Sequence, residues 1–216
     1  MNEKPAADSL LIIFAKSPVA GKVKKRLIPF LGEAGACEAY KKMLLHTRQV
    51  CDRVISDRVV FYTDDRQIFN IWPDELYQKQ AQQGDDIGMR MLNTFEYAFS
   101  RGYQKAVLFG GDIIEINPNI LQTAFASLDQ NEVVLGPASD GGYYLIGMNR
   151  LLPDLFYDID WSTDRVFRQN VEKIEKMSLS CAVLERLSDI DDYPDYLRFK
   201  HLLDKINLTE QKEVFK

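Results

Sequence analysis

An uninterrupted apolar run near the amino terminus, SLLIIFA at residues 9–15, constrains the fold most strongly. A run of this length without polar alternation is typical of a strand that is buried on both faces. Similar short apolar runs follow at residues 57–63, 105–110 and 133–137. A segment with helical spacing separates each run from the next one. Strands that alternate with helices predict an α/β, Rossmann-like fold, with a mostly parallel sheet, right-handed crossovers and helices on both faces.

Helix-capping residues and the spacing of apolar side chains predict the remaining helices and strands. Apolar side chains recur every three or four positions in residues 33–54, as on the buried face of an amphipathic helix. Asn117 followed by Pro118 is typical of a capped helix start. We also expect a short helical piece from residue 64, an edge strand at 75–80, a helix over 161–177 capped by Ser162 or Thr163, and a last strand at 181–187.

Length and charge exclude several classes of protein. At 216 residues the chain fits a single domain over 1–216, with flexible ends expected at 1–8 and 209–216. A net charge of −5 argues against nucleic-acid binding through a basic face. Neither a signal peptide nor a stretch long enough to span a membrane is evident, so we expect a cytoplasmic protein. The oligomeric state stays open.

Positive charge concentrates in the segment that follows the first predicted strand. Pro18 and Gly21 break regular structure there. The basic residues are Lys16, Lys22, Lys24, Lys25 and Arg26. A basic, glycine-containing loop at the end of a buried strand predicts a phosphate-binding site. The alternative is a solvated charged run that leads into a helix, and the spacing matches neither a P-loop nor a dinucleotide-binding fingerprint.

Two acidic residues follow two other predicted strands. Asp112 comes after the run at 105–110, and Asp140 comes after the run at 133–137. Because ligands of such sheets bind outside the carboxyl ends of the strands, both carboxylates can meet the basic loop in one crevice. Gly141 and Gly142 would let another group approach the backbone closely. The alternative for Asp140 is the polar tip of a hairpin, since Asp-Gly and Gly-Gly are strong turn signals.

Two carboxylates beside a basic loop suit a metal-dependent nucleotide site. Mg²⁺ prefers one or two carboxylates together with substrate phosphates and retained waters. We therefore expect Mg²⁺ or Mn²⁺ at Asp112 and Asp140, which are also the candidate catalytic residues. Lys16, Lys24 and Arg26 would complete the contacts to the phosphates.

Six segments carry a resemblance to a known family. In chain order they are FAKSPVAGKVKKRL, QQGDDIGMRM, FGGD, VVLGPASDGGYYLIGM, WSTDRV and LSDIDDYPDYL. Together they span residues 10–196 and resemble the bacterial nucleotide-diphospho-sugar transferase-like family, often described as an arsenosugar-biosynthesis glycosyltransferase. That family has a GT-A-type fold and is similar to nucleotidyltransferases of the phospholactate guanylyltransferase type. The resemblance implies phosphate contacts for the basic loop, a metal-binding Asp112 and a second acidic group at Asp140.

The resemblance also places Gln83 and Arg90 near the nucleotide. It matches the WST segment at residues 161–163 and a late Asp-x-Asp, Asp189 and Asp191, to family segments whose chemistry we leave unassigned. The chain departs from the family after Asp112, where isoleucines replace a small residue and proline. That change alters the loop that positions the carboxylate.

Three hypotheses about function remain. The first is a glycosyltransferase that moves a sugar from a nucleotide-sugar donor to a small-molecule acceptor, with Asp140 as metal ligand or base. The second is a nucleotidyltransferase that joins a nucleoside triphosphate to a sugar or organic phosphate and releases pyrophosphate. The third is a non-catalytic nucleotide-binding protein of the same fold. No recognisable motif indicates which nucleotide base, sugar or acceptor the protein would bind.

Overall fold

The computed structural model describes residues 7–63 and 71–208. The strands are β1 Ser9–Ala15, β2 Asp57–Tyr62, β3 Gln78–Ala81, β4 Lys105–Gly110, β5 Val133–Pro137, β6 Tyr143–Met148 and β7 Cys181–Val183. The α-helices are α1 Ile28–Cys51, α2 Ile87–Ser100, α3 Pro118–Ser127, α4 Val166–Lys176 and α5 Tyr193–Leu203. Short 3-10 turns lie at Lys25–Leu27 and Pro153–Leu155.

The strands form one sheet in the order β3-β2-β1-β4-β6-β5-β7. Every pairing is parallel except those of β6, which runs antiparallel to β4 and to β5. The predicted mostly parallel α/β sheet is therefore confirmed. Segment 133–148, expected as strand, loop and strand, is the β5–β6 hairpin.

Both faces of the sheet are covered, as the apolar run in β1 predicted. Leu11 and Ile13 point into a core shared with α1, α3 and α5. Leu10 and Ile12 point into a second core shared with α2 and α4. These four side chains are fully buried. The rigid centre of the sheet thus fixes the positions of the loops that follow β1 and β4.

Helix starts agree with the sequence where a polar cap is present. The side chain of Asn117 accepts a hydrogen bond from the backbone N–H of Ile120 at 3.1 Å. The predicted helix over 161–177 instead begins at Val166, and its N-cap residue, Arg165, makes no side-chain cap. The proposed Ser162 or Thr163 cap is therefore wrong. Thr163 donates from Oγ1 to the carbonyl of Asp160 at 2.7 Å, in a turn before the helix.

Several expectations concern the remaining segments. The short helical piece expected from residue 64 falls mainly on 64–70, outside the described residues, as do the expected flexible ends except for residues 7 and 8. The last strand ends at Val183, and Leu187 adds only one isolated bridge, to Ala138. Among the described residues, no helix is both long and apolar enough to cross a membrane.

Removal of a central aromatic side chain tests this core. Phe109 in β4 is fully buried, so Phe109→Ala should lower the free energy of unfolding by about 3–5 kcal/mol, through lost burial and a new cavity. Ile55 is 94% exposed, and Ile55→Ala should change it by less than about 0.5 kcal/mol. Urea denaturation measures both values, and similar losses for the two variants would contradict the described core.

Candidate active site

A cavity of about 750 Å³ lies at the carboxyl ends of the central strands. The chain builds the sheet outward from β1 through β2 to β3 on one side, and β4 then pairs on the other side of β1. Ligands of α/β sheets bind at this kind of switch point. Of the residues predicted from the sequence, the cavity is lined by Lys16, Arg26, Arg90, Asp112, Asp140 and Gly142.

A close ion pair joins the basic loop to the end of β4. Lys24 Nζ lies 2.8 Å from Asp112 Oδ2, and only 6% of the Lys24 side chain is exposed. Lys24 adopts a left-handed backbone conformation, with φ 43° and ψ 49°, between the buried side chains of Val23 and Leu27. The two buried neighbours anchor the loop, so the ammonium group is held against the aspartate.

This pairing keeps both groups ionised. Burial raises the pKa of Asp112, but the charge of Lys24, its hydrogen bond and the charge of Lys16 outweigh that effect and hold the pKa below its usual range. Burial lowers the pKa of Lys24, but Asp112 outweighs it and the pKa stays above its usual range. The site therefore presents a permanent negative charge at Asp112, next to fixed positive charge.

The segment after Asp112 is held by packing in place of the proline that the family usually has. Ile113 and Ile114 are buried. Glu115 accepts a hydrogen bond through Oε2 from the backbone N–H of Ser188 at 2.7 Å. Before the aspartate, Gly111 lies so close to Leu44 and to the carbonyl of Phe14 that a Cβ would approach each within 3.1 Å. These contacts fix the backbone on both sides of the carboxylate.

The late Asp-x-Asp, which the sequence left without a role, reaches the same site. Asp191 Oδ2 lies 3.3 Å from Arg26 Nη1, and its Oδ1 lies 3.8 Å from Lys24 Nζ. It precedes Asp192, the N-cap residue of α5, which forms a capping box with Asp195. A family match was the only sequence signal for this motif, because its partners are more than 160 positions away in the chain.

Asp189 lies among other carboxylates. Burial, together with the negative charges of Asp191 and Asp140, raises the pKa of Asp189 to about 6. In the late Asp-x-Asp, Asp191 therefore faces the cations of the basic loop, whereas Asp189 lies where its negative charge is disfavoured.

Asp140 occupies the tip of the β5–β6 hairpin and also lines the cavity. Its Oδ1 accepts a hydrogen bond from the backbone N–H of Gly142 at 2.9 Å, which closes the turn. Asp140 is therefore both the polar tip of a hairpin and a residue that lines the cavity, so the two alternatives from the sequence are compatible.

Two glycines allow close packing around the hairpin tip. Gly141 has φ 90°, and a Cβ there would overlap the backbone of Asp164. The carbonyl of Gly141 also accepts a hydrogen bond from the N–H of Phe167 at 2.9 Å. Gly88, in the first turn of α2, leaves room for the indole of Trp161. The hairpin, the WST segment and α2 therefore form one packed wall of the cavity.

The remaining predicted residues lie outside the cavity lining. Gln83 is exposed, and its backbone carbonyl accepts a hydrogen bond from Asn93 Nδ2 at 2.8 Å. The neighbouring Gln82 lines the cavity instead, with Nε2 donating to the carbonyl of Phe61 at 2.9 Å. Gly21 has φ 78° and packs beside the carboxylate of Glu33. Gly141 and Lys24 contact lining residues without being part of the lining, since Gly141 packs against Asp164 and Lys24 pairs with Asp112.

The carboxylates that face the cavity suit a hard cation that also binds substrate phosphates and water. Within the described ranges, no three His, Cys, Asp or Glu side chains are grouped so that they could hold a metal ion by themselves. Asp112, with 36% of its side chain exposed, and the exposed Asp140 offer carboxylate oxygens to the cavity. Mg²⁺ is commonly bound by one or two carboxylates plus substrate phosphates and water, so these residues fit such an ion.

Comparison with known proteins decides the family. Residues 46–163, more than half of the chain, match the family described as "Uncharacterized protein conserved in bacteria (DUF2064)". The chain belongs to the DUF2064 family. No curated protein matches the sequence of this DUF2064 protein.

Solved structures show the same fold. A protein from Desulfovibrio desulfuricans G20, provisionally named a nucleotide-diphospho-sugar transferase, has a TM-score of 0.82 and 29% identity, over 94% of this chain and 99% of that one. The 4-diphosphocytidyl-2C-methyl-D-erythritol synthase of Anaerococcus prevotii DSM 20548 has a TM-score of 0.62 and 12% identity, over 91% and 96%. Rv0371c of Mycobacterium tuberculosis H37Rv, in complex with manganese, has a TM-score of 0.57 and 13% identity, over 93% and 100%. The nucleotide-diphospho-sugar transferase-like resemblance and the fold class are confirmed.

Alanine substitutions at two glycines with similar φ angles distinguish the cost of backbone strain from the cost of a steric clash. Gly102 has φ 89° and open space around it, so Gly102→Ala should cost roughly 1–2 kcal/mol of stability for the left-handed conformation alone. Gly141→Ala should add roughly 1–3 kcal/mol, because the new methyl group collides with Asp164. Chemical denaturation compares the two, and equal losses would contradict the packed hairpin tip.

The raised pKa of Asp189 predicts that removal of its carboxylate increases the stability of the protein in a pH-dependent way. A folded-state pKa of about 6, above the ordinary value of 3.8, means that the folded protein binds more protons between these values, so this group lowers stability as pH rises through the window. Asp189→Asn should therefore match the wild type at pH 4 and exceed it in stability above pH 6. Urea denaturation across pH in the presence of a chelator measures this, and a pH-independent difference would contradict it.

Proposed function

We propose that this DUF2064 protein is a divalent-cation-dependent glycosyltransferase, which takes a sugar from a nucleotide-diphosphate sugar and passes it to a small acceptor. The observation that carries the proposal is the Lys24–Asp112 pair at the switch point of the sheet, 2.8 Å apart and open to the cavity on the aspartate side. Its fixed charges lie where a diphosphate and its counter-cation would bind. The name of the D. desulfuricans protein, at 29% identity, supports the same donor class.

Basic side chains on one side of the cavity would bind the diphosphate. Lys16 follows β1, and Arg90 lies in α2 with its Nε donating to the carbonyl of Gly84 at 3.0 Å. Arg26 is 74% exposed and faces Asp191, so its planar guanidinium can turn to a phosphate without loss of a buried contact. Arginine suits this role because it binds two phosphate oxygens at once.

Asp112 would hold Mg²⁺ or Mn²⁺, and Asp140 would act either as a second ligand or as the base of the proposed step. When bound, such an ion neutralises the charge that develops on the departing diphosphate. Support comes from the manganese complex of Rv0371c, which shares the fold. Asp112 carries its negative charge at neutral pH because Lys24 lowers its pKa, so the ligand is ready without loss of a proton.

In the proposed step, a hydroxyl oxygen of the acceptor bonds to the anomeric carbon of the donor sugar. The bond between that carbon and the diphosphate oxygen breaks, and its electron pair leaves with the diphosphate. The hydroxyl proton passes to a carboxylate at the hairpin tip or to water. We propose Asp140 for this transfer because it lines the cavity, and metal ligation is its alternative role.

A second candidate reaction is nucleotidyl transfer, in which a phosphate oxygen attacks the α-phosphate of a nucleoside triphosphate and pyrophosphate leaves. The five basic residues of the loop after β1 favour it, since a triphosphate carries more negative charge than a sugar diphosphate. The A. prevotii protein, named for cytidylyl chemistry, shares the fold. The two reactions use the same cavity and differ in the bond that breaks.

Product analysis distinguishes these reactions. The protein is incubated with Mg²⁺ or Mn²⁺ and either nucleotide sugars with a panel of hydroxyl acceptors or nucleoside triphosphates with a panel of sugar and organic phosphates. The products are identified by ³¹P NMR and mass spectrometry. The proposal predicts a nucleoside diphosphate from a sugar nucleotide. Pyrophosphate from a triphosphate would favour the second candidate, and the absence of both products across the nucleotide panel would contradict both.

Substitution of the strand-end aspartate tests the site directly. Asp112→Asn should lower donor turnover by about 100-fold or more and remove its metal dependence, because a neutral amide neither retains the cation nor balances Lys24. Glu96→Gln, which removes an exposed carboxylate from α2 away from the cavity, is the control and should leave turnover unchanged. Retention of metal-dependent turnover by Asp112→Asn would contradict the assignment.

A further inference from the structure

Three loops that carry acidic residues meet at the carboxyl edge of the sheet. The loop after β4 carries Asp112, and the tip of the β5–β6 hairpin carries Asp140. The third is the segment at residues 188–191, which we call the late loop and which carries Asp189 and Asp191. Because the three loops are far apart in the chain, contacts between them decide how the carboxylates are arranged.

Backbone hydrogen bonds attach the start of the late loop to the hairpin. The N–H of Leu187 donates to the carbonyl of Pro137 at 3.1 Å, and the carbonyl of Leu187 accepts from the N–H of Ser139 at 3.0 Å. The hydroxyl oxygens of Ser139 and Ser188 lie 2.9 Å apart. The first residue of the late loop is therefore held beside the end of β5.

Glu115 attaches the same residue to the loop that carries Asp112. Its Oε2 accepts a hydrogen bond from the backbone N–H of Ser188 at 2.7 Å, between residues that are 73 positions apart. Glu115 comes three residues after Asp112, and the side chains of Ile113 and Ile114 between them are buried. Since both ends of this hydrogen bond lie in well-packed backbone, it helps to set the spacing between Asp112 and the late loop.

This spacing matters because of the buried lysine between the two loops. Lys24 Nζ lies 2.8 Å from Asp112 Oδ2 and 3.8 Å from Asp191 Oδ1. The negative charge of Asp189 also acts on Lys24. A divalent cation at Asp112 would lie near this ammonium group and repel it. The carboxylates of the late loop offset that repulsion while they stay close to Lys24, so Asp112 can pair with the ammonium group and bind a cation.

We propose that Glu115 is a positioning residue, which holds the late loop close enough to Asp112 for its carboxylates to stabilise Lys24 beside a bound cation. Glu115 does not line the cavity, so it acts through the backbone of Ser188 and not by contact with a ligand. The inference rests on the proposed function, because it concerns the cation that is assigned to Asp112 there.

The effect of Mg²⁺ on nucleotide affinity tests this role. The probe is whichever of ADP, CDP, GDP and UDP binds the wild-type protein most tightly in Mg²⁺. Isothermal titration measures its Kd in EDTA and in Mg²⁺, and we call the ratio of the first value to the second the Mg²⁺ gain. Glu115→Ala should lower the Mg²⁺ gain by about threefold or more, as expected for the loss of one hydrogen bond that positions the late loop.

Two further substitutions distinguish the reach of the side chain from its charge. Glu115→Asp keeps the negative charge but is one methylene group shorter, so it should lose the Mg²⁺ gain as Glu115→Ala does. Glu115→Gln is neutral but keeps the length and an oxygen that accepts from the N–H of Ser188. Its Mg²⁺ gain should therefore stay within about twofold of the wild-type value, since a neutral acceptor still forms the hydrogen bond.

A matched control lies at the opposite edge of the same sheet. Glu132 precedes β5, outside the cavity lining, and its Oε2 accepts a hydrogen bond from the backbone N–H of Ser180 at 3.1 Å. Glu132→Ala removes the same kind of contact between two segments, so it should leave the Mg²⁺ gain unchanged. Urea denaturation of both alanine variants shows how much stability each one loses, which separates a loss of stability from a loss of position.

The possible failures are distinguishable. A wild-type Mg²⁺ gain in Glu115→Ala or Glu115→Asp, a lost gain in Glu115→Gln, or an equal loss in Glu132→Ala would overturn the inference and leave the cation site standing. If Glu115→Ala does not fold, equal gains in Glu115→Asp and Glu115→Gln would overturn it. Absence of a Mg²⁺ gain in the wild-type protein would instead overturn the proposed function, and the inference with it.

Discussion

An ion pair between a buried lysine and a strand-end aspartate is the interaction on which the site depends. A lysine with 6% of its side chain exposed is tolerated only because Asp112 lies 2.8 Å away, since an unpaired buried charge is strongly destabilising. The pair links the loop after β1 to the end of β4, the two central neighbours in the sheet. Loss of either partner would therefore disturb the geometry of the cavity as well as its charge.

The two sides of the cavity are built by different physical means. On the β1 side, charged groups balance one another: Lys24 and Arg26 face Asp112 and Asp191. The exposed Arg26 can exchange Asp191 for a phosphate, whereas the buried Lys24 stays paired with Asp112. On the hairpin side, Gly88 and Gly141 permit close packing that fixes the wall.

Sequence reasoning predicted the parts of the fold that local pattern determines. The bounds of β1 and β4 match their predicted runs, because the interior positions of strands that are buried on both faces are apolar. The start of α4 was placed too early, since the packing of Asp164 against Gly141 keeps the WST segment out of the helix. Gln82, and not Gln83, lines the cavity, as alternation of side chains in an extended segment requires. The contact of Asp191 with Arg26 depends on tertiary packing and has no local signal.

The central claim is that these residues bind nucleotide phosphates together with a divalent cation. Isothermal titration of the wild-type protein with a nucleoside diphosphate, in Mg²⁺ and then in EDTA, measures this coupling most directly. The account predicts binding at least tenfold tighter in Mg²⁺, because a cation held at Asp112 would neutralise the charge of the phosphates. Equal affinity in the two buffers, or no binding by any nucleoside diphosphate, would contradict it.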